Sequence, residues 1–89
     1  MMKEKKHDII TLGRSCIDLY SQSIGSPFNE IKGFDAFVGG SPLNIAVACS
    51  RLGLKTSLLT AIGNDKVGEF IINFLKKENV DTNSIPIKN

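Results

Sequence analysis

Three places in this 89-residue sequence carry groups suited to chemistry: Asp18 within Cys16-Ile17-Asp18-Leu19, the pair Gly39–Gly40, and Asn44 a turn further on. A carboxylate among apolar neighbours needs hydrogen-bond donors to offset its desolvation. Glycines lack the Cβ that keeps a backbone away from a ligand, and the start of a helix presents unpaired N–H groups that favour oxygens or anions. Together these residues describe a corner for a polar small molecule. Each also has a plainer reading. The glycines make a tight turn, Asn44 bonds to the loop before its helix, and Asp18 anchors a turn or caps a helix.

Other chemistries find little support. Gly13-Arg14-Ser15 is not GxGxxG, and no GxxxxGK[ST] loop is present. The single histidine, His7, falls in the polar tail of residues 1–7, where a flexible role is expected. No serine, histidine and acid arrangement is readable, nor a carboxylate pair placed for glycoside hydrolysis. Cys16 and Cys49 lack the spacing of a metal knuckle or a redox CxxC, so buried free thiols in a reducing compartment are expected. The net charge is +2, and three of the eleven basic residues crowd into the tail as Lys3, Lys5 and Lys6, which argues against a nucleic-acid-binding stripe. MMKEKKHD is followed by no apolar signal region, and no run approaches the roughly 18 apolar residues of a spanning helix, so no membrane partner and a cytoplasmic location are expected.

These residues must be positioned by a small number of elements. IITLG predicts a first strand over 8–13, with SCIDLY extending it as far as Asp18. Gly25, Ser26 and Pro27 predict a loop or hairpin tip within 21–30. Residues 31–38, IKGFDAFV, place Asp35 and Phe37 on one side of a strand and Phe34, Ala36 and Val38 on the other. Neither side is cleanly polar, which suits a small accessory sheet, with an edge strand of the main sheet as the alternative. Ser41 as N-cap, Pro42 at the first helical position and Gly53 as the stop predict a helix over 42–52, mostly buried. KTSLLTAI predicts a strand over 55–62. Asn64 and Asp65 then cap an amphipathic helix carrying Val67, Phe70, Ile71, Phe74 and Leu75 and stopping at Asn79, before a loop toward a strand near Ile85.

Strand, helix, strand, helix and strand open a parallel α/β sheet, whose sites lie beyond the carboxyl ends of its strands. A chain of this length buries only about 60–65 % of its unfolded surface, and two or three parallel strands leave their edges open. The pattern therefore looks cut from a larger domain.

GGSPLNIAVACSRLGLKTSLLTAIG, residues 39–63, is similar to the first signature of the ribokinase-like (PfkB) carbohydrate kinases, with Gly39, Gly40, Pro42, Asn44, Ala46, Gly53 and Gly63 in register. Gly63-Asn64-Asp65 with Gly68 resembles the usual continuation. LGRSCIDLY, residues 12–20, further resembles the opening of the 5-dehydro-2-deoxygluconokinase branch of inositol breakdown, with fructokinases and 2-keto-3-deoxygluconate kinases as neighbouring readings. The resemblance implies a ribokinase-like three-layer α/β/α domain with a small β lid, of which residues 8–89 would be the amino-terminal part and residues 19–38 the lid. It implies that Asp18 accepts hydrogen bonds from sugar hydroxyls, that Gly39 and Gly40 line the sugar pocket, and that Asn44 offers its amide to another sugar oxygen. Arg14 would contact an acidic or keto-acid sugar, with a surface salt bridge as the alternative, and Phe34 or Phe37 would close over the substrate. ATP and Mg2+ are implied for the parent protein, with neither bound by these residues, and a homodimer could form through the lid. The family's catalytic base lies in a GxGD motif that this sequence lacks, so the 89 residues by themselves are expected to be inactive. The competing reading is a non-catalytic remnant that binds a small ligand, or a partner at its open sheet edge.

Overall fold

The computed structural model describes residues 6–88. Strand β1 (Ile9–Leu12) pairs in parallel with β4 (Thr56–Leu59), in register from Ile9 opposite Thr56 to Leu12 opposite Leu59. Parallel neighbours need a crossover, and helix α1 (Ser41–Arg51) supplies it, burying Leu43, Ala46 and Val47. The Thr11 hydroxyl donates to the Pro42 carbonyl at 2.8 Å, which fixes the start of α1 over β1.

The expected Ser41 cap is not formed. Gly40 is the cap, at φ +106°, with no side-chain hydrogen bond, and its carbonyl accepts the Asn44 N–H at 2.9 Å while Ser41 already lies in the helix. Pro42 has no N–H to satisfy, which lowers the demand for a side-chain acceptor here. The other end follows expectation. Gly53 sits at φ +94°, its N–H reaches Ser50 at 2.9 Å, and the Leu54 N–H reaches Cys49 at 3.1 Å, the paired bonds of a glycine-terminated helix. Helix α2 (Lys66–Lys77) starts with the Asp65 carboxylate accepting the Gly68 N–H at 2.8 Å. It stops at Asn79, φ +59°, in the same paired pattern.

The first strand does not run on to Asp18. It breaks at Gly13, φ +146°, where a Cβ would stand 2.6 Å from Pro42 Cγ. The chain then leaves the parallel sheet for an antiparallel hairpin of β2 (Cys16–Ser21) and β3 (Phe34–Gly39). Its paired strands run from Cys16 opposite Gly39 to Ser21 opposite Phe34, and Phe28–Glu30 form a 3-10 turn where the strand expected over 31–38 has not yet begun. The strand expected over 55–62 is also divided. After β4 the chain resumes as β5 (Ile62–Gly63), which pairs in parallel with β6 (Ile87–Lys88).

Leu58 of β4 sits in one core with Leu43, Ala46 and Val47 of α1, Ile71 and Leu75 of α2, and Val80 and Ile85. Ile10, Leu12 and Leu59, which alternate to the opposite face, are 56, 77 and 37 % exposed. Of the three layers expected, the described residues supply the sheet and one helical layer. The hairpin is exposed along most of its length, with only Ile17 and Val38 packed against this core and Gly39 buried. Cys16 and Cys49 are free as expected, though only partly buried. Among the described residues no helix is long and apolar enough to cross a membrane.

The expected free tail is corrected at His7, whose Nε2 lies 2.6 Å from Asp81 Oδ2 and ties the segment before β1 to the loop after α2. Residues 1–5, including Lys3 and Lys5, lie outside the described residues. The Asn83 N–H, at 2.8 Å from Oδ1, and then the His7 bond hold the Asp81 carboxyl below the usual carboxylate range, against the opposing effect of burial. A carboxyl whose folded pKa is depressed contributes stability that is full above its unfolded pKa and is lost as pH falls through the folded value. Asp81→Asn is therefore expected to flatten the acid limb of a thermal-midpoint profile below about pH 4. Superimposable wild-type and variant profiles there would refute this role.

Candidate functional site

Alternation along the hairpin sorts its side chains onto two faces. Ile17 and Val38, directly opposite one another, turn toward the core. Cys16 opposite Gly39, Asp18 opposite Phe37, and Tyr20 opposite Asp35 share the other face. Gly39 is where this face meets the helix start, and it is buried. A Cβ built on Gly39 would overlap Asp18 Oδ2 and stand 3.0 Å from Cγ. The carboxylate thus lies directly over the glycine backbone, in space that any other residue would fill.

Gly40 closes the corner from the other side. A Cβ there would stand 2.6 Å from the Arg14 carbonyl oxygen and 3.3 Å from Ser15 Cα, so the turn between β1 and β2 rests on the turn into α1. Ser15 Oγ lies 3.2 Å from Thr60 Oγ1, joining that turn to the carboxyl end of β4. Asn44 stands in the first turn of α1 with its side chain exposed and its N–H on the Gly40 carbonyl.

Asp18, Gly39, Gly40 and the Arg14 backbone are therefore brought together, whereas Asn44 joins them through its backbone N–H and also lines a cleft with Val47, Ala48, Arg51 and Phe74. Two expectations change. Asp18 is exposed rather than buried, because its strand projects from the body, and its hydrogen-bond partner among the described residues is the Cys16 thiol at 3.7 Å, a weak donor. Most of its acceptor capacity faces outward. Arg14 meets the corner through its carbonyl, and its exposed side chain makes no ion pair among the described residues. The Ser15–Thr60 contact and the Thr11 bond to Pro42 had no local signal, since their partners are 45 and 31 residues apart.

The corner is an open surface. Cavities of about 570 and 660 Å³ lie elsewhere, the first beside the start of α2 along Gly63, Asp65 and Glu69, the second at the amino ends of β1 and β4 around His7 and Lys55. Neither touches Asp18 or Gly39. Among the described residues no three or more His, Cys, Asp or Glu cluster to hold a metal ion. The described residues therefore assemble no protein cage of this kind for Mg2+.

A carboxylate, two glycines and a helix start thus converge beyond the carboxyl end of a parallel pair, the place where α/β folds carry their sites. Residues 6–89 match the model of the pfkB family carbohydrate kinases, and the chain belongs to that family. It is 41 % identical over 83 residues to a 5-dehydro-2-deoxygluconokinase of Geobacillus kaustophilus, covering 93 % of this chain and 25 % of the relative. A 5-dehydro-2-deoxygluconokinase of Clostridium perfringens is 40 % identical over 83 residues, with the same coverage. The chain thus spans about a quarter of the length of the curated relatives it matches. Among solved structures, it resembles an uncharacterized sugar kinase from Pyrococcus horikoshii in complex with ATP, with TM-score 0.80 and 44 % identity over 90 % of this chain and 26 % of that one. It also resembles the fructokinase of Halothermothrix orenii, with TM-score 0.82 and 33 % identity over 92 % of this chain and 30 % of that one.

Proposed function

We propose that these residues form the sugar-binding part of an ATP-dependent carbohydrate kinase whose substrate is a sugar acid of the 5-dehydro-2-deoxygluconate type. The observation that carries the reading is the outward-facing Asp18 carboxylate seated on Gly39 beside the start of α1. A carboxylate only accepts hydrogen bonds, so it selects hydroxyl donors, and adjacent sugar hydroxyls can both donate to its two oxygens. Gly39 and Gly40 let backbone approach the sugar closely, and the Asn44 amide can donate to or accept from a further sugar oxygen. The Arg14 guanidinium is the cation that would meet a sugar carboxylate. Phosphoryl transfer depends on positioning and on charge neutralisation. In this reading the described residues do the first for the sugar. The base, the ATP site and the Mg2+ donors come from elsewhere in the parent protein, and the 89 residues alone bind without turnover. The hairpin's other face, where Leu19 and Phe34 are 60 and 40 % exposed, is where a second copy would pack.

The likeness to a fructokinase structure supports a second reading, a neutral ketose as substrate. Both are tested by following ADP release from the full-length protein with 5-dehydro-2-deoxygluconate, 2-keto-3-deoxygluconate and fructose. The first reading expects the highest kcat/KM with 5-dehydro-2-deoxygluconate, and a loss of about tenfold in Arg14→Gln that fructose does not show. Fructose as the best substrate would favour the second. No phosphorylation of any sugar would overturn the kinase reading.

A further inference from the structure

We infer that Phe37 is the substrate-facing ring of this site, that it determines specificity by packing on the C–H face of the sugar held by Asp18, and that Tyr20 positions it. The inference rests on the sugar-binding reading of Asp18 and adds to it. Sequence alone left Phe34 and Phe37 as equivalent candidates. The register separates them: Phe37 pairs directly with Asp18, whereas Phe34 pairs with Ser21, on the face that carries Ile17 and Val38.

Side chains directly opposite across an antiparallel pair stand about 5 Å apart at Cβ. Carboxylate and ring therefore rise side by side from one surface, about a sugar ring's width apart. A sugar presents hydroxyls around its edge and C–H groups on its faces. One edge can donate to Asp18 while one face covers the Phe37 ring, which removes apolar surface from water without leaving a polar group unpaired. Phe37 is 53 % exposed, so apolar surface of its ring stands uncovered on the face that carries the carboxylate.

The ring is also held. Tyr20, on the same face and diagonal to Phe37, meets it edge-on, with ring centroids 5.4 Å apart and planes at 71°. Edge-to-face contacts of this kind restrict rotation. Asp35, opposite Tyr20, accepts the Gln22 side-chain N–H at 2.9 Å, which leaves Asp18 as the carboxylate of this face without a side-chain amide donor among the described residues. Phe34 meets Phe28 instead, at 6.2 Å, in a separate pair.

The test uses the full-length protein with its best sugar substrate, measuring KM for sugar and for ATP in Phe37→Ala, Phe37→Leu, Tyr20→Leu and Phe34→Ala. Phe37→Ala is expected to raise the sugar KM about tenfold and leave the ATP KM unchanged, with Phe37→Leu recovering part of the loss. Tyr20→Leu is expected to raise the sugar KM by about threefold, because the ring survives unbraced. Phe34→Ala is expected to change it by less than about twofold. Thermal melts identify any variant that loses its fold. A sugar KM in Phe37→Ala within about twofold of wild type, or an equal rise in Phe34→Ala, overturns the assignment. Asp18→Asn separates the two levels of the reading. If it raises the sugar KM while Phe37→Ala does not, only the ring's role fails. If neither does, the sugar site itself is misplaced.

Discussion

Asp18→Asn in the full-length protein is expected to lower kcat/KM for the sugar by about 100-fold, with the ATP KM unchanged. Hydrogen bonds to a charged acceptor contribute about 1.5–3 kcal/mol each, and about 1.4 kcal/mol is tenfold in an equilibrium constant. Two hydroxyls donating to one carboxylate therefore account for a loss of that size. Asparagine keeps the volume over Gly39 but replaces one acceptor oxygen with an NH2 that meets a hydroxyl donor head-on. Because Asp18 is exposed and its partner among the described residues is a thiol at 3.7 Å, the thermal midpoint is expected to stay near wild type. Kinetics and stability thus separate, as they should for a group that serves a ligand rather than the fold. A kcat/KM within about threefold of wild type would remove Asp18 from the site.

The parts of the fold that were legible in sequence are those governed by neighbours. Pro42 and Gly53 bracket α1, Asp65 and Asn79 bracket α2, and each acts on backbone within a few residues of itself. The parts that were not legible depend on distant contacts. IITLG and SCIDLY read as one strand because both are apolar and alternate. What divides them is the packing of Gly13 against Pro42, and the two residues are remote in sequence. His7 reads as tail for the same reason, since its partner, Asp81, is 74 residues away. In the site, the residues suited to chemistry were visible from type alone, as was the sharing of a face by Asp35 and Phe37. The contact between Asp18 and Gly39 needed the register of the hairpin, and that register selects Phe37 over Phe34. Ser41 was a natural cap by residue type, but the sharp reversal at Gly40 puts the cap one residue earlier, where a carbonyl does the work.

The Gly40 reversal also carries a large stability effect for a single methyl group, because it combines positive φ with a backbone obstruction. Gly40→Ala should lower stability by about 2–5 kcal/mol, from left-handed backbone strain of about 1–2 kcal/mol and overpacking of about 1–3 kcal/mol. Gly53 offers a comparison in which positive φ acts without obstruction. It sits at φ +94°, close to the +106° of Gly40, but a Cβ there meets nothing within 4 Å, so Gly53→Ala should cost only the strain of about 1–2 kcal/mol. The second contribution at Gly40 cannot be relieved by a rotamer change, because the obstructing atom is the Arg14 backbone carbonyl. Relief requires the turn between β1 and β2 to move away from the start of α1, which would also shift Asp18, two residues into β2, relative to that helix start. At Gly39 the obstructing atoms belong to the Asp18 side chain, which can swing aside, so Gly39→Ala should spare the fold while displacing the carboxylate. Chemical denaturation of the full-length variants, read beside sugar KM, distinguishes the three. Gly40→Ala loses stability and binding, Gly39→Ala loses mainly binding, and Gly53→Ala loses a little stability and no binding. Equal destabilisation by Gly40→Ala and Gly53→Ala would show that the two turns do not bear on one another, and the corner would lose the contact that holds its halves together.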